Sequence, residues 1–127
     1  MPILAFSKVS DVDTPDDTRI SSTAVRYVEP TRPGQAGVAV IHLLGQGDAG
    51  ITVQEALDVV VGSIGGLVAA WRHYSGAQPD EGRSPVFVAA ANISHLRPNN
   101  PTRRDFWSVY FVDGSELRIV DPLPAGL

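Results

Sequence analysis

The chain has 127 residues, enough for one domain with a core that can fold independently. Its formal net charge of −4 disfavours duplex nucleic-acid binding, because such proteins normally present a basic face to the phosphates. It contains no cysteine, which excludes disulfides, thiolate zinc sites and a cysteine nucleophile.

The basic residues are almost all arginine, and Lys8 is the only lysine. This usage, with abundant alanine, glycine, valine and proline, is typical of a GC-rich genome such as that of an actinobacterium or one of its phages. Residues 1–64 carry eight acidic and four basic side chains, and residues 65–127 carry six of each. A basic patch is therefore expected only in the second part of the chain.

The chain nearly repeats itself after 68 residues, because residues 20–30 align position for position with residues 88–98. Both segments end in proline and lead through a polar loop into an alternating apolar run, a glycine turn and a short apolar strand. Such a repeat predicts a supersecondary unit that buries its apolar face against its own copy. We expect a single domain, 1–127, with an internal repeat of 20–53 and 88–120.

In chain order, residues 3–6 predict a strand, residues 11–18 a polar acidic turn, and the alternating residues 38–44 a strong strand. The acidic turn departs from a calcium loop after its second aspartate, so we expect a solvated turn. Residues 45–50 satisfy GxGxxG, but a short apolar strand at 51–53 follows where a dinucleotide-binding motif requires a helix. We therefore predict a hairpin connection there.

One long helix is predicted next, at about 53–74. Residues 52–55 have capping-box spacing, and apolar residues recur at helical spacing as far as Trp71. Gly62, Gly65 and Gly66 interrupt this pattern, which indicates either a break near Gly65 or a helix pressed closely against another backbone. The segment fits a buried core helix, and the spacing of Gly62 and Gly66 alternatively fits a close helix–helix contact that can lie between subunits. The uncharged stretch is too short to span a membrane, which requires about 20 residues.

The second copy follows a predicted linker at 75–85. Its strongest strand is predicted at 106–112, and Asp113-Gly114 indicates a hairpin turn. The predicted fold class is α+β. Two similar antiparallel β-meander units, about 3–53 and 86–120, are expected to form a sheet, a sandwich or a small barrel with the long helix between them.

The three histidines, His42, His73 and His95, lie in different segments and lack the spacing of a metal site. His95 occupies the repeat position of Tyr27, which indicates an amphipathic position and not a ligand. We predict no catalytic, cofactor-binding or metal-ligating residue, and we do not expect an enzyme.

Arg97, Arg103 and Arg104 surround a loop that leads to Trp107. Arginine beside exposed aromatic rings can bind single-stranded nucleic acid. The alternative is that Trp107 packs in the core and that the arginines only solvate the loop.

The strand pattern resembles the short β modules of the FlbD flagellar-protein family and the strand core of LytTR-type DNA-binding domains. The matching residues in the second copy are 92–96 and 109–119. The first copy matches through residues 24–28, 40–45 and 51–53. The resemblance covers about half of the chain. Two copies, an intervening helix and the lack of a basic recognition loop depart from the family pattern, so the resemblance assigns no site residues.

These features favour a non-catalytic structural or assembly protein that acts through protein–protein contacts, either as a homo-oligomer or within a larger assembly. A phage virion component, such as a capsid decoration or connector protein, is the concrete version. The predicted interaction residues are Gly62, Gly66, Trp71, Arg97, Arg103, Arg104 and Trp107.

Two alternatives stay open. One is a nucleic-acid-associated regulator that uses the loop at 97–104, and the other is a small ligand-binding domain or enzyme with two histidines and a carboxylate in one pocket. The N-terminal residues lack a signal-peptide pattern, so we expect a cytoplasmic or virion location.

Overall fold

A computed structural model describes residues 3–8, 16–30, 39–46, 50–73, 83–100, 103–120 and 123–127. Within these residues the chain forms ten strands in antiparallel sheets and one α-helix, a mostly-β α+β fold. We use "N-terminal half" for the first five strands and "C-terminal half" for the last five.

The N-terminal half contains five strands and a 3-10 helix between the second and third strands. They are β1 Ile3–Lys8, β2 Asp16–Ser21, the 3-10 helix Ser22–Ala24, β3 Val25–Pro30, β4 Ala39–Leu43 and β5 Gly50–Val53. The predicted strands at 3–6, 38–44 and 51–53 are confirmed to within a few residues. The acidic turn is shorter than predicted, because residues 16–18 pair with β1.

The C-terminal half follows the single helix α1, Leu57–Ile64, and has the same sequence of elements. They are β6 Leu67–His73, β7 Arg83–Ala89, the 3-10 helix Ala90–Asn92, β8 Ile93–Asn100, β9 Arg103–Phe111 and β10 Glu116–Val120. The predicted linker at 75–85 ends earlier than expected, because β7 begins at Arg83. The predicted hairpin turn after β9 is confirmed, with Gly114 at a φ of 88°.

The predicted helix at 53–74 is wrong in extent. Val53 belongs to β5, and residues 67–73 form strand β6, which pairs along its whole length with β7. Gly65 and Gly66 end the helix, because their φ values of 72° and 69° lie in a region that L side chains rarely adopt. The predicted cap at Thr52 is also wrong, since Ala56 precedes the first helical turn.

The strands form two sheets. Seven strands follow the order β2-β1-β5-β4-β3-β7-β6, and three follow the order β10-β9-β8. All ladders are antiparallel. Because β3 pairs with β7, the larger sheet includes strands from both halves of the chain.

The β3–β4 and β8–β9 ladders have the same register 68 residues apart. Tyr27 opposes His42, as His95 opposes Tyr110, and each ladder has an irregularity at the same place. Each ladder is extended by one backbone hydrogen bond beyond its paired residues. The Leu44 amide donates to the Ala24 carbonyl, and the Val112 amide donates to the Asn92 carbonyl.

Two hydrophobic clusters form the core. The first lies in the N-terminal half and includes two buried residues of α1, Leu57 and Val60. The second lies mainly in the C-terminal half and is contributed by both sheets. The clusters meet at β3, where Val28 belongs to the first and Tyr27 to the second, because neighbouring residues of a strand face opposite sides.

Two glycine substitutions test the helix end. Gly65→Ala should lower the free energy of unfolding by about 1–3 kcal/mol, because Gly65 has φ 72° and ψ 157°. Gly62→Ala should raise it by about 0.5–1 kcal/mol, because Gly62 lies within α1 and a side chain there meets open space. Urea unfolding measures both, and effects of the same sign would contradict this helix end.

Candidate functional site

The junction between the two halves carries a cluster of polar side chains. Tyr27 and Glu29 are two residues apart on β3 and therefore face the same side. His42 of β4 is registered opposite Tyr27, and Arg72 of β6 reaches the same side across β7. We call Tyr27, Glu29, His42 and Arg72 the junction cluster.

Glu29 is the centre of this cluster. Its Oε1 lies 3.0 Å from His42 Nε2, and its Oε2 accepts a hydrogen bond of 2.8 Å from the Arg72 guanidinium. The Tyr27 ring stacks on the His42 imidazole at a centroid distance of 4.3 Å, and Arg72 also hydrogen-bonds Tyr27. One carboxylate thus ties β4 of the N-terminal half to β6 of the C-terminal half.

The electrostatics of the junction cluster favour the charged forms of Glu29 and Arg72. Burial alone raises the pKa of Glu29, but the hydrogen bond from His42 and the charge of Arg72 outweigh burial and lower it below 4.5. Burial lowers the pKa of Arg72, and the Glu29 carboxylate more than reverses this effect. Burial raises the pKa of Tyr27, so its phenol remains protonated at neutral pH.

His42 is held between Glu29 and Gly50. Its Nε2–H donates to the Glu29 carboxylate, and in the described part of the chain its buried Nδ1 has no hydrogen-bond partner. A Cβ at Gly50 would lie 3.1 Å from His42 Cε1 and would also overlap the Val40 side chain. Because His42 is only 7% exposed, this geometry fits a buried contact that holds strands together better than it fits proton exchange with a substrate.

Two further contacts join the halves at the junction. The Asn92 amide donates to the carbonyls of Thr23 and Val25, at 2.8 and 2.7 Å. Asp113 accepts a bond of 2.8 Å from the amide of Gly45. The slight burial of Asp113 raises its pKa, but the amide of Gly45 and the hydroxyl and amide of Ser115 lower it to about 2.

The C-terminal half carries a counterpart of the junction cluster on its surface. The rings of His95 and Tyr110 stack at 4.6 Å, and the Arg97 guanidinium lies 5.8 Å from the Tyr110 centroid. His95 and Arg97 are exposed and Tyr110 is half-buried. We call these three residues the outer stack.

The outer stack occupies the positions of Tyr27, Glu29 and His42, three of the four junction-cluster residues, 68 residues later. His95 corresponds to Tyr27, Tyr110 to His42, and Arg97 to Glu29. The ring pair is therefore exchanged and the charge reversed. Tyr27 and His42 of the junction cluster are buried, whereas His95 and Arg97 of the outer stack lie at the surface.

The predicted interaction residues lie in several places. Trp71 is 51% exposed on β6 and belongs to neither cluster of the described core, whereas Trp107 packs against the second cluster. Gly62 lies on α1 and Gly66 beyond its end, so the pair does not form one helix face. Arg103 and Arg104 begin β9, and their side chains lie outside the described part.

Sequence reasoning missed the junction cluster. Glu29 and Arg72 were given no role, and His42 was considered only as an isolated histidine. The sequence repeat offers a signal for two members of the cluster, because His95 matches Tyr27 and Tyr110 matches His42 at the same spacing. Arg72 carried no such signal, because it was assigned to a helix.

Two other features are absent from the residues that the structure describes. These residues contain no group of three histidine, cysteine or acidic side chains arranged to hold a metal ion. They also contain no helix with the length and apolar character needed to cross a membrane.

No family model, curated protein or solved structure matches the chain. The resemblance to the FlbD and LytTR β modules therefore stays a prediction.

The junction cluster predicts a pH dependence of stability. Because the pKa of Glu29 is lowered from 4.5, its contribution is fully present above pH 4.5 and is lost as the pH falls through the folded-state pKa. Glu29→Gln should lower the free energy of unfolding at pH 7 by about 1–3 kcal/mol, and this deficit should shrink in acid.

Urea unfolding between neutral and acidic pH measures the effect. Glu116→Gln is the matched control, because Glu116 is exposed on β10 and should change stability by less than about 0.5 kcal/mol. A deficit of Glu29→Gln that stays constant down to acidic pH would show that the carboxylate is not the titrating group.

Proposed function

We propose that this chain is a non-catalytic assembly protein that acts through protein–protein contacts, first of all with other copies of itself. The proposal depends on one observation: among the described residues, β8 ends its sheet without a further strand, and it carries His95 and Arg97 exposed. An exposed edge strand presents unpaired amides and carbonyls, which favour pairing with another chain.

The repeat supports this function. The equivalent registers of the two halves are what a duplicated β unit would produce, and we include such a duplication in the proposal. The two halves join through backbone pairing of β3 with β7, so the contact between them is already one between β edges. A unit that binds its own copy within the chain has the chemistry to bind further copies.

Trp71 offers a second contact for a larger assembly. Half of its surface is exposed, and the neighbouring Ala69 and cross-strand Pro85 add apolar surface without charge. Exposed tryptophans of this kind are common anchors of protein interfaces. The use of arginine in place of lysine is typical of a GC-rich genome. Together, these features support the concrete version of the proposal, a phage capsid decoration or connector protein.

Self-association predicts a solution mass above the 13.5 kDa of one chain. Light scattering after size-exclusion chromatography, over a range of protein concentrations, should give a multiple of this mass. The fraction assembled should rise with concentration, because association obeys mass action. A solution mass that stays at the 13.5 kDa of one chain over the whole concentration range contradicts the proposed function.

A nucleic-acid-associated role is the second candidate, and the outer stack is the observation that favours it. Arg97 and the exposed edge of the His95–Tyr110 pair combine positive charge with aromatic surface on an open sheet face. Proteins that bind single strands use this combination of groups. The net charge of −4 weakens long-range attraction to phosphates.

This second candidate predicts binding of a fluorescent single-stranded oligonucleotide of about 16 nucleotides at low salt. The affinity should fall steeply as salt is added, and Arg97→Gln should weaken it, because phosphate contacts release counterions. Anisotropy titrations at two salt concentrations measure both effects. Lack of binding at low salt, where the phosphate attraction is largest, would remove this candidate.

A further inference from the structure

We propose that copies of this chain join head to tail, with β8 of one copy pairing antiparallel to β2 of the next. In this contact His95 lies opposite Ile20 of the next copy, and Leu96 lies opposite Arg19. The inference deepens the proposed function, on which it rests, by naming the partner and the register.

The internal junction supplies the template for this contact. β3 pairs antiparallel with β7 through Tyr27 opposite Val88 and Val28 opposite Phe87. Moving 68 residues along the repeat converts β3 into β8. The same shift taken backwards converts β7 into β2, because both strands pass directly into a 3-10 helix, at Ser22 and Ala90.

Both strands are available at the ends of the described sheets. β2 pairs only with β1, and β8 pairs only with β9, within the part of the chain that the structure describes. Because β3 pairs with β7, the larger sheet continues from β2 in the N-terminal half to β6 in the C-terminal half. The edge that β3 uses inside the chain is therefore repeated at β8, beside which the described residues place no further strand.

Burial differs between the two equivalent edges as this inference requires. Tyr27 is 6% exposed because it belongs to the core cluster of the adjoining half. Its counterpart His95 is exposed, and Leu96, the counterpart of the fully buried Val28, is only half-buried. A second copy placed on β8 would cover the outer stack as the C-terminal half covers the junction cluster.

This contact is heterologous, because it joins two different edges. After each addition, the assembly still has a free β2 at one end and a free β8 at the other. Such contacts continue into a ring if the rotation between copies closes, or into a filament if it does not. The assembly should therefore grow beyond two chains.

Charge substitution tests the contact in the full-length chain. Thr18→Arg should raise the protein concentration at half-association by about tenfold or more, because the proposed register then sets a second cation opposite Arg97. Adding Arg97→Glu to this variant should restore association, because opposite charges then face each other. Arg118→Glu is the control, because Arg118 is exposed on β10, away from the β8 edge, and should leave association unchanged.

Light scattering and native mass spectrometry give the masses, and circular dichroism verifies that each variant is folded. Masses beyond two chains, with loss and recovery in the order described, are the expected result. An assembly that stops at two chains, or that Thr18→Arg does not weaken, overturns the head-to-tail contact while the assembly function stands. A wild-type chain that never associates overturns both.

Discussion

The structure depends on the position of β3, which pairs with its own half through β4 and with the other half through β7. Successive side chains of a strand face opposite sides, so β3 delivers Val28 to one hydrophobic cluster and Tyr27 to the other. A one-residue slip would exchange these faces and would separate Glu29 from both His42 and Arg72. The two cores and the junction cluster are therefore consequences of one register.

The same geometry gives different results in the two halves. In the N-terminal half, the Glu29 carboxylate binds His42 and Arg72, and the adjoining half covers the stacked rings of Tyr27 and His42. In the C-terminal half, Arg97 takes the position of Glu29, His95 is exposed and Tyr110 is half-buried. Equivalent positions of the two ladders thus carry opposite charges and differ in exposure.

Local patterns predicted strands such as β4 and β9, because alternation at 38–44 and 106–112 and the Asp113-Gly114 turn are short-range signals. They failed between residues 53 and 74, where apolar residues at helical spacing are divided between β5, α1 and β6. The pairing of β6 with β7 and the positive φ of Gly65 and Gly66 decide that segment, and pairing is not a local property. The junction cluster was missed for the same reason, since Glu29 and Arg72 lie 43 residues apart.

Site-directed crosslinking tests the central claim most directly, because the chain contains no cysteine of its own. The proposed register places Arg97 of one copy opposite Thr18 of the next, and both side chains are at least partly exposed. Mixed Thr18→Cys and Arg97→Cys proteins should form, on oxidation, a disulfide-linked pair containing one chain of each kind. Neither variant alone should crosslink. Crosslinking within a single variant, or none in the mixture of associated chains, would contradict the account.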